Sequence, residues 1–116
     1  MKKLALWLCL IGVACAPPGE KVKAIVGATL LNPGAAPVEY SMIIITGDRI
    51  TRAGTMVDAP VPAGSEKIAA YGKWVVAEEG AIEEGAPANL RIYAVDPRTN
   101  PGALPERRLK AGEWTE

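Results

Sequence analysis

The sequence predicts an all-β chain folded as a small β-sandwich or incomplete barrel. Two observations carry the prediction. Short apolar runs are separated by turn-forming clusters, and no stretch of ten or more residues after Cys15 keeps an apolar 3.6-residue period free of Gly or Pro. Ten prolines and twelve glycines in 116 residues account for the second, because both residues interrupt helices. Short strands with frequent turns bury their apolar faces as two packed layers or by closing into a barrel.

The first segment belongs to targeting rather than to the fold. Met1, Lys2 and Lys3 make a basic start, and residues 4–14 (LALWLCLIGVA) are an apolar run of eleven, too short for a hydrocarbon core that takes roughly 20 residues. Residues 1–14 therefore read as a signal peptide. Gly12-Val13-Ala14-Cys15 resembles the lipobox of bacterial lipoproteins, with Gly12 where that motif usually has Leu. The resemblance implies lipidation of Cys15, a lipidated leader over residues 15–21 and a membrane as partner. Two or three acyl chains, at about 0.8 kcal/mol per buried methylene, anchor stably where one does not. Ala16, rather than Asp, after the cysteine is similar to outer-membrane sorting, so the expected location is the cell envelope, as an outer-membrane lipoprotein facing the periplasm. The alternative is a secreted chain, since Ala14-Cys15-Ala16 also fits the small-x-small rule of ordinary cleavage. Pro17 would then stand just after the cut, a poor position for the peptidase.

The domain expected over residues 22–116 starts with residues 22–26 (VKAIV), an alternating run with Lys23 outward that ends at Gly27. Residues 38–46 (VEYSMIIIT) form a longer strand, and residues 49–53 follow after Gly47-Asp48, a pair that tolerates the positive φ of a tight hairpin turn. Further strands are expected at 67–70, 73–76 and 90–95 (LRIYAV), with a short one near 112–115. The turn-rich pieces lie at Asn32-Pro33-Gly34, at 60–64 and at 96–105.

Charge and composition exclude several classes of function. The chain has 13 basic and 13 acidic side chains, and removing Lys2 and Lys3 with the signal leaves 11 against 13, a formal charge of −2. That balance argues against a nucleic-acid partner. There is no histidine, so no imidazole base, Ser-His or Cys-His pair, or histidine-ligated zinc. Once Cys9 leaves with the signal, Cys15 has no intrachain disulfide partner, and the core rests on burial alone.

Residues 23–76 carry a resemblance in three pieces: Gly27-Ala28-Thr29-Leu30-Leu31, then Gly47-Asp48-Arg49-Ile50 closing on Ala53-Gly54, then Tyr71-Gly72-Lys73-Trp74-Val75-Val76. In this order they resemble the N-terminal β portion of the amidohydrolase superfamily, particularly its imidazolonepropionase-like and prolidase-like members. Residues 80–97 (GAIEEGAPANLRIYAVDP) are similar to the segment that re-enters that β domain after the catalytic barrel, with Asn89 where the family usually has Asp. Residues 109–114 (LKAGEW) resemble its closing strand. The pieces cover about three quarters of the chain after the signal.

In the family, the strand resembling 73–76 runs into the first metal-binding strand of a (β/α)₈ barrel. Here Val76 is followed by Ala77-Glu78-Glu79 and then by the motif that follows the barrel. No catalytic residue of the family has a counterpart in this sequence, so the expectation is no catalytic residue, no metal ligand and no cofactor.

Other chemistry reads as structural. Glu78, Glu79, Glu83 and Glu84 lack a cation-binding loop spacing and read as a solvated turn. Arg107, Arg108 and Lys110 near an anchored domain suggest anionic lipid, against the plainer reading of an exposed strand end. Ser41, Ser65 and Thr46 have no base to activate them. Trp74 and Trp114, in matching Gly-x-Trp contexts, suggest a ligand platform or core packing, and Tyr40, Tyr71 and Tyr93 read as half-buried strand residues.

The resemblance thus implies a lipid-anchored, non-catalytic β module derived from an amidohydrolase. The alternative is a truncated remnant of a metal-dependent hydrolase acting on non-peptide or dipeptide C–N bonds. Loss of a barrel uncovers apolar area, so a homo-oligomer or a barrel-bearing partner is expected on that face.

Overall fold

A computed structural model of the chain describes residues 21–56 and 61–115; the expected signal peptide and Cys15 lie outside the described residues. Nine strands follow in order: β1 (Val22–Val26), β2 (Thr29–Leu31), β3 (Ser41–Thr46), β4 (Arg49–Thr55), β5 (Glu66–Ala69), β6 (Trp74–Ala77), β7 (Leu90–Tyr93), β8 (Arg107–Lys110) and β9 (Glu113–Thr115). They form a four-stranded sheet, β4-β3-β1-β5, and a five-stranded sheet, β2-β6-β7-β8-β9. The described fold is all-β, a small sandwich of two mixed sheets rather than a barrel.

Two strand pairs pass together from one sheet to the other. β1 runs parallel to β5 in the first sheet, and their continuations β2 and β6 run parallel in the second. Backbone hydrogen bonds carry the pairing across the step: the Ala70 amide donates to the Val26 carbonyl and the Thr29 amide to the Lys73 carbonyl. Gly27 takes φ +91° at this step, and a Cβ there would collide with the Tyr71 ring, so the close approach needs glycine.

The main core lies between the sheets. Ile25, Ile43, Ile45 and Ile50 of the first sheet meet Leu30, Val75, Leu90, Ile92 and Leu109 of the second, with Ile82 and Ala88 entering from loops. A smaller cluster, Ala24, Val26, Met42 and Ile44, sits on the outer face of the first sheet. Alternation along β1 therefore puts Lys23 on the face of Ile25, and Lys23 is only 4% exposed. The expectation that it points outward is corrected: both faces of this sheet are covered, so a lysine in β1 has no open side.

Hairpin chemistry accounts for two of the turns, β3–β4 and β8–β9. Between β3 and β4 only Gly47 has positive φ, at 62°, the pattern of a type II′ turn, so Asp48 does not need the left-handed region. A bulge follows, because Ile45 pairs with Ile50 but Ile44 pairs with Arg52, leaving Thr51 extra. The extra residue sends Ile50 into the core and Arg52 to the outer face, where a regular strand would put both on one side.

The strand expected at 38–46 begins only at Ser41. Tyr40 has φ 51° and breaks the extension, and Val38 makes an isolated bridge to Leu30. The strand expected at 90–95 ends at Tyr93. Residues 109–114, expected as one closing strand, are a hairpin: Ala111 and Gly112 both take positive φ, 51° and 81°, as a type I′ turn requires. A Cβ on Gly112 would collide with the Gly47 carbonyl oxygen, so this turn nests against the β3–β4 turn.

Candidate functional site

The second sheet shows its outer face to two hollows, and register decides which side chains stand there. Leu31 pairs with Val76, Val76 with Arg91, Arg91 with Arg108, and Arg108 with Thr115. Side chains directly opposite in a sheet share a face. One row therefore crosses all five strands, apolar at the β2 end and cationic towards β9. Glu78, Asn89 and Lys110 stand beside it along the rim.

A concavity of about 790 Å³ lies over the cationic half, lined by Glu78, Arg91, Arg108, Lys110 and Thr115 among others. A second hollow of about 330 Å³ lies over the apolar half, lined by Leu31, Pro33, Val76, Ala77 and Pro97. The two meet at Gly80, which lines both.

Electrostatics within the larger concavity centre on one ion pair. Arg91 Nη2 donates to Glu78 Oε1 at 2.9 Å, both side chains being about one-third exposed. This hydrogen bond holds the Glu78 carboxyl below the ordinary carboxylate range, reinforced by the charges of Arg91, Arg108 and Lys110 and opposed by partial burial. It also raises the affinity of Arg91 for its proton. Arg91 Nε is buried without a hydrogen-bond acceptor. Among the described residues of its lining none is arranged as a nucleophile with a base.

The segment joining β6 to β7 forms the wall between the hollows and is fixed at both ends. Ile82 is buried in the main core, its amide donates to Asn32 Oδ1 at 2.7 Å, and Asn32 Nδ2 donates to its carbonyl at 3.1 Å. The Glu78 amide donates to the Asn89 carbonyl at 2.9 Å. Asn89 Oδ1 accepts from the Ala111 amide at 2.7 Å, a role for an acceptor oxygen that Asn and Asp fill equally.

The residues singled out from sequence disperse. Of the four glutamates, Glu78 joins the ion pair while Glu79, Glu83 and Glu84 are exposed. Among the described residues no three His, Cys, Asp or Glu side chains gather as metal ligands. Ser41 Oγ donates to the Ala28 carbonyl at 2.7 Å, Ser65 Oγ donates to the Pro62 carbonyl, and Thr46 Oγ1 bonds Thr51 Oγ1. The two tryptophans are on opposite faces of the second sheet: Trp114 packs on the main core, whereas Trp74 pairs with outward Tyr93. They cannot form one platform. Arg107 stacks 3.6 Å over the Trp114 ring, whose Nε1 donates to Glu66 Oε2 at 3.3 Å and ties the two sheets together. The tyrosines were expected half-buried in strands. Tyr93 is buried in β7, but Tyr40 and Tyr71 lie in turns at 62% and 51% exposure, because the chain reverses or changes sheet at each.

Sequence reading missed Asn32 and the pairing of Arg91 with Arg108. The first carries no motif, and the second depends on strand register. The chargeable signal was present in the Arg91 and Arg107-Arg108 positions but not their juxtaposition.

No family model matches the chain, and no curated protein matches it. Among solved structures it is similar to molinate hydrolase, at 35% identity over 48% of this chain and 12% of that one, with a TM-score of 0.44. It is also similar to a candidate prolidase from Bifidobacterium longum, at 19% identity over 47% of this chain and 14% of that one, again with a TM-score of 0.44. The chain spans only these small shares of the longer proteins' lengths.

Proposed function

We propose that the chain is a lipid-anchored, non-catalytic β module of amidohydrolase type, held in the cell envelope through Cys15. The observation that carries this reading is the closed junction between β6 and β7. Where the resemblance places a catalytic barrel, the chain passes through Glu78–Arg91 pairing, the Asn32–Ile82 clamp and burial of Ile82 in the core. A junction packed this way belongs to a unit that folds without the insert. The module associates with a second copy of itself or with a barrel-bearing partner.

The experiment expresses the full chain in a Gram-negative host with an alkyne-tagged fatty acid, then purifies it for thermal unfolding with a dye for exposed apolar surface. The expected outcome is label on the wild-type chain, none on Cys15→Ser, and one cooperative transition with no dye bound beforehand. Unlabelled wild-type chain overturns the anchor. Non-cooperative, dye-binding behaviour overturns the module in favour of the remnant, and zinc-dependent amide hydrolysis by the purified chain overturns both.

A further inference from the structure

We propose that the outer face of the five-stranded sheet is a binding site for an amphipathic anion, its oxyanion head against Arg108 and Arg91 and its apolar body along Val76 and Leu31. This goes beyond the module reading and holds whether or not the chain is anchored. The cross-strand row sets out the two halves in line, Leu31 and Val76 beside Arg91 and Arg108, in that order.

Charge matching leaves the head position only partly filled, since Glu78 bonds Arg91 directly and Arg108 only acts on it through space. Arg91 has Glu78, Lys110 stands opposite Glu113 in register, and Arg107 is stacked on Trp114 on the other side of the sheet. Arg108 alone on this face has neither an ion pair nor an acidic cross-strand neighbour among the described residues. Its neighbour across the ladder is another arginine, and like charges directly opposite destabilise a sheet unless something lies between them. Arg91 is held in place by its bond to Glu78, so its guanidinium stands fixed beside that of Arg108 in the row. Two guanidinium forks suit a carboxylate or phosphate, which accept such donors in pairs.

The apolar half has the matching shape. The smaller hollow adjoins the larger at Gly80, and their volumes, about 330 and 790 Å³, fall in the range of small-molecule sites. From β2 to β8 is three strand spacings, roughly 14 Å at ~4.8 Å each. An extended ten-carbon carboxylate, roughly 11–13 Å from head to methyl, spans most of it. The class is an oxyanion on an apolar chain, as in a free carboxylate amphiphile or an anionic phospholipid.

The test is calorimetric titration of decanoate, below its micelle concentration, into the full-length chain carrying Cys15→Ser, which needs no detergent. Saturable one-to-one binding is expected, weakened at least tenfold by Arg108→Ala and by Val76→Ser, with thermal unfolding of both variants unchanged. Acetate, which has the head alone, and decanol, which has the tail alone, are each expected to bind at least tenfold more weakly. Absence of saturable binding, equal binding of acetate or decanol, or indifference to Arg108→Ala overturns the proposal. If Val76→Ser unfolds early, Leu31→Ser replaces it under the same criterion. Displacement of decanoate by phosphatidylglycerol vesicles but not by phosphatidylcholine vesicles assigns the head to a lipid; no displacement assigns it to a free amphiphile, and the class stands in both cases.

Discussion

Glu78 concentrates the electrostatics of the outer sheet face in one carboxylate. Its folded-state pKa lies below the ordinary value because Arg91 donates to it, so its contribution to stability is complete above the unfolded value of roughly 4.3 and disappears as pH falls through the lowered folded value. Both side chains are about one-third exposed, which limits the pair to about 0.5 kcal/mol. Glu78→Gln is therefore expected to lower unfolding free energy by that amount at pH 7 and to match the wild type well below pH 4, as read from urea unfolding at the two pH values. A larger loss at neutral pH would mean that the orphaned Arg91 Nε takes part in the same network. That carboxylate was legible in the sequence as one of four in an acidic run; its separation from the other three was not, because only the strand β6 carries it back towards Arg91.

Among the elements, the β6–β7 connection and the β8–β9 hairpin depend on side-chain amides that stand in for backbone. Asn32 bonds both polar groups of Ile82, as a neighbouring strand would. Asn32→Ala is expected to cost about 1–3 kcal/mol, the effect of leaving two part-buried backbone groups unpaired. Asn32→Asp keeps the acceptor and loses the donor, so an intermediate loss at neutral pH is expected. Chemical denaturation of both variants checks the order. β1, β3 and β7 were readable because they have apolar residues in runs bounded by turn residues, and β4 because it follows Gly47-Asp48 directly. β2 has three residues, and three of the four residues in β8 are charged, so neither has a periodicity to detect. The strand expected at 38–46 is shorter in the fold for a different reason: Tyr40 favours strands by type, but its left-handed backbone at the entry to β3 goes with the Met56 amide donating to its carbonyl and the Ser41 amide donating to the Ala28 carbonyl.

For the whole molecule, the decisive feature is that the two sheets are not separate layers pressed together. β1 and β5 continue directly into β2 and β6, and the Trp114–Glu66 bond links the sheets at β9 and β5. Amide exchange is expected to show Ile43 in β3 and Leu90 in β7 protected to the same free energy, within about 0.5 kcal/mol, because sites in one cooperative unit open together. Two distinct levels, one per sheet, would contradict this. The all-β class was legible from composition and turn spacing. The mixed topology was not, since parallel pairing between residues so far apart in the chain leaves no local mark, and neither the outer cationic row nor the burial of Lys23 can be seen without it.

The doubled crossing also sets an order in time. A chain made from its N-terminus can close the β1–β3–β4 ladder from neighbouring segments, but β2 has no strand partner in its sheet until residues 74–77 exist. Pairings between distant segments form slowly because a long loop must close first. Val38 can bridge Leu30 early, but Leu31 lacks its cross-strand neighbour Val76 while the middle of the chain is still emerging. The stretch that later supports the apolar hollow is the one most in need of protection from premature association during folding.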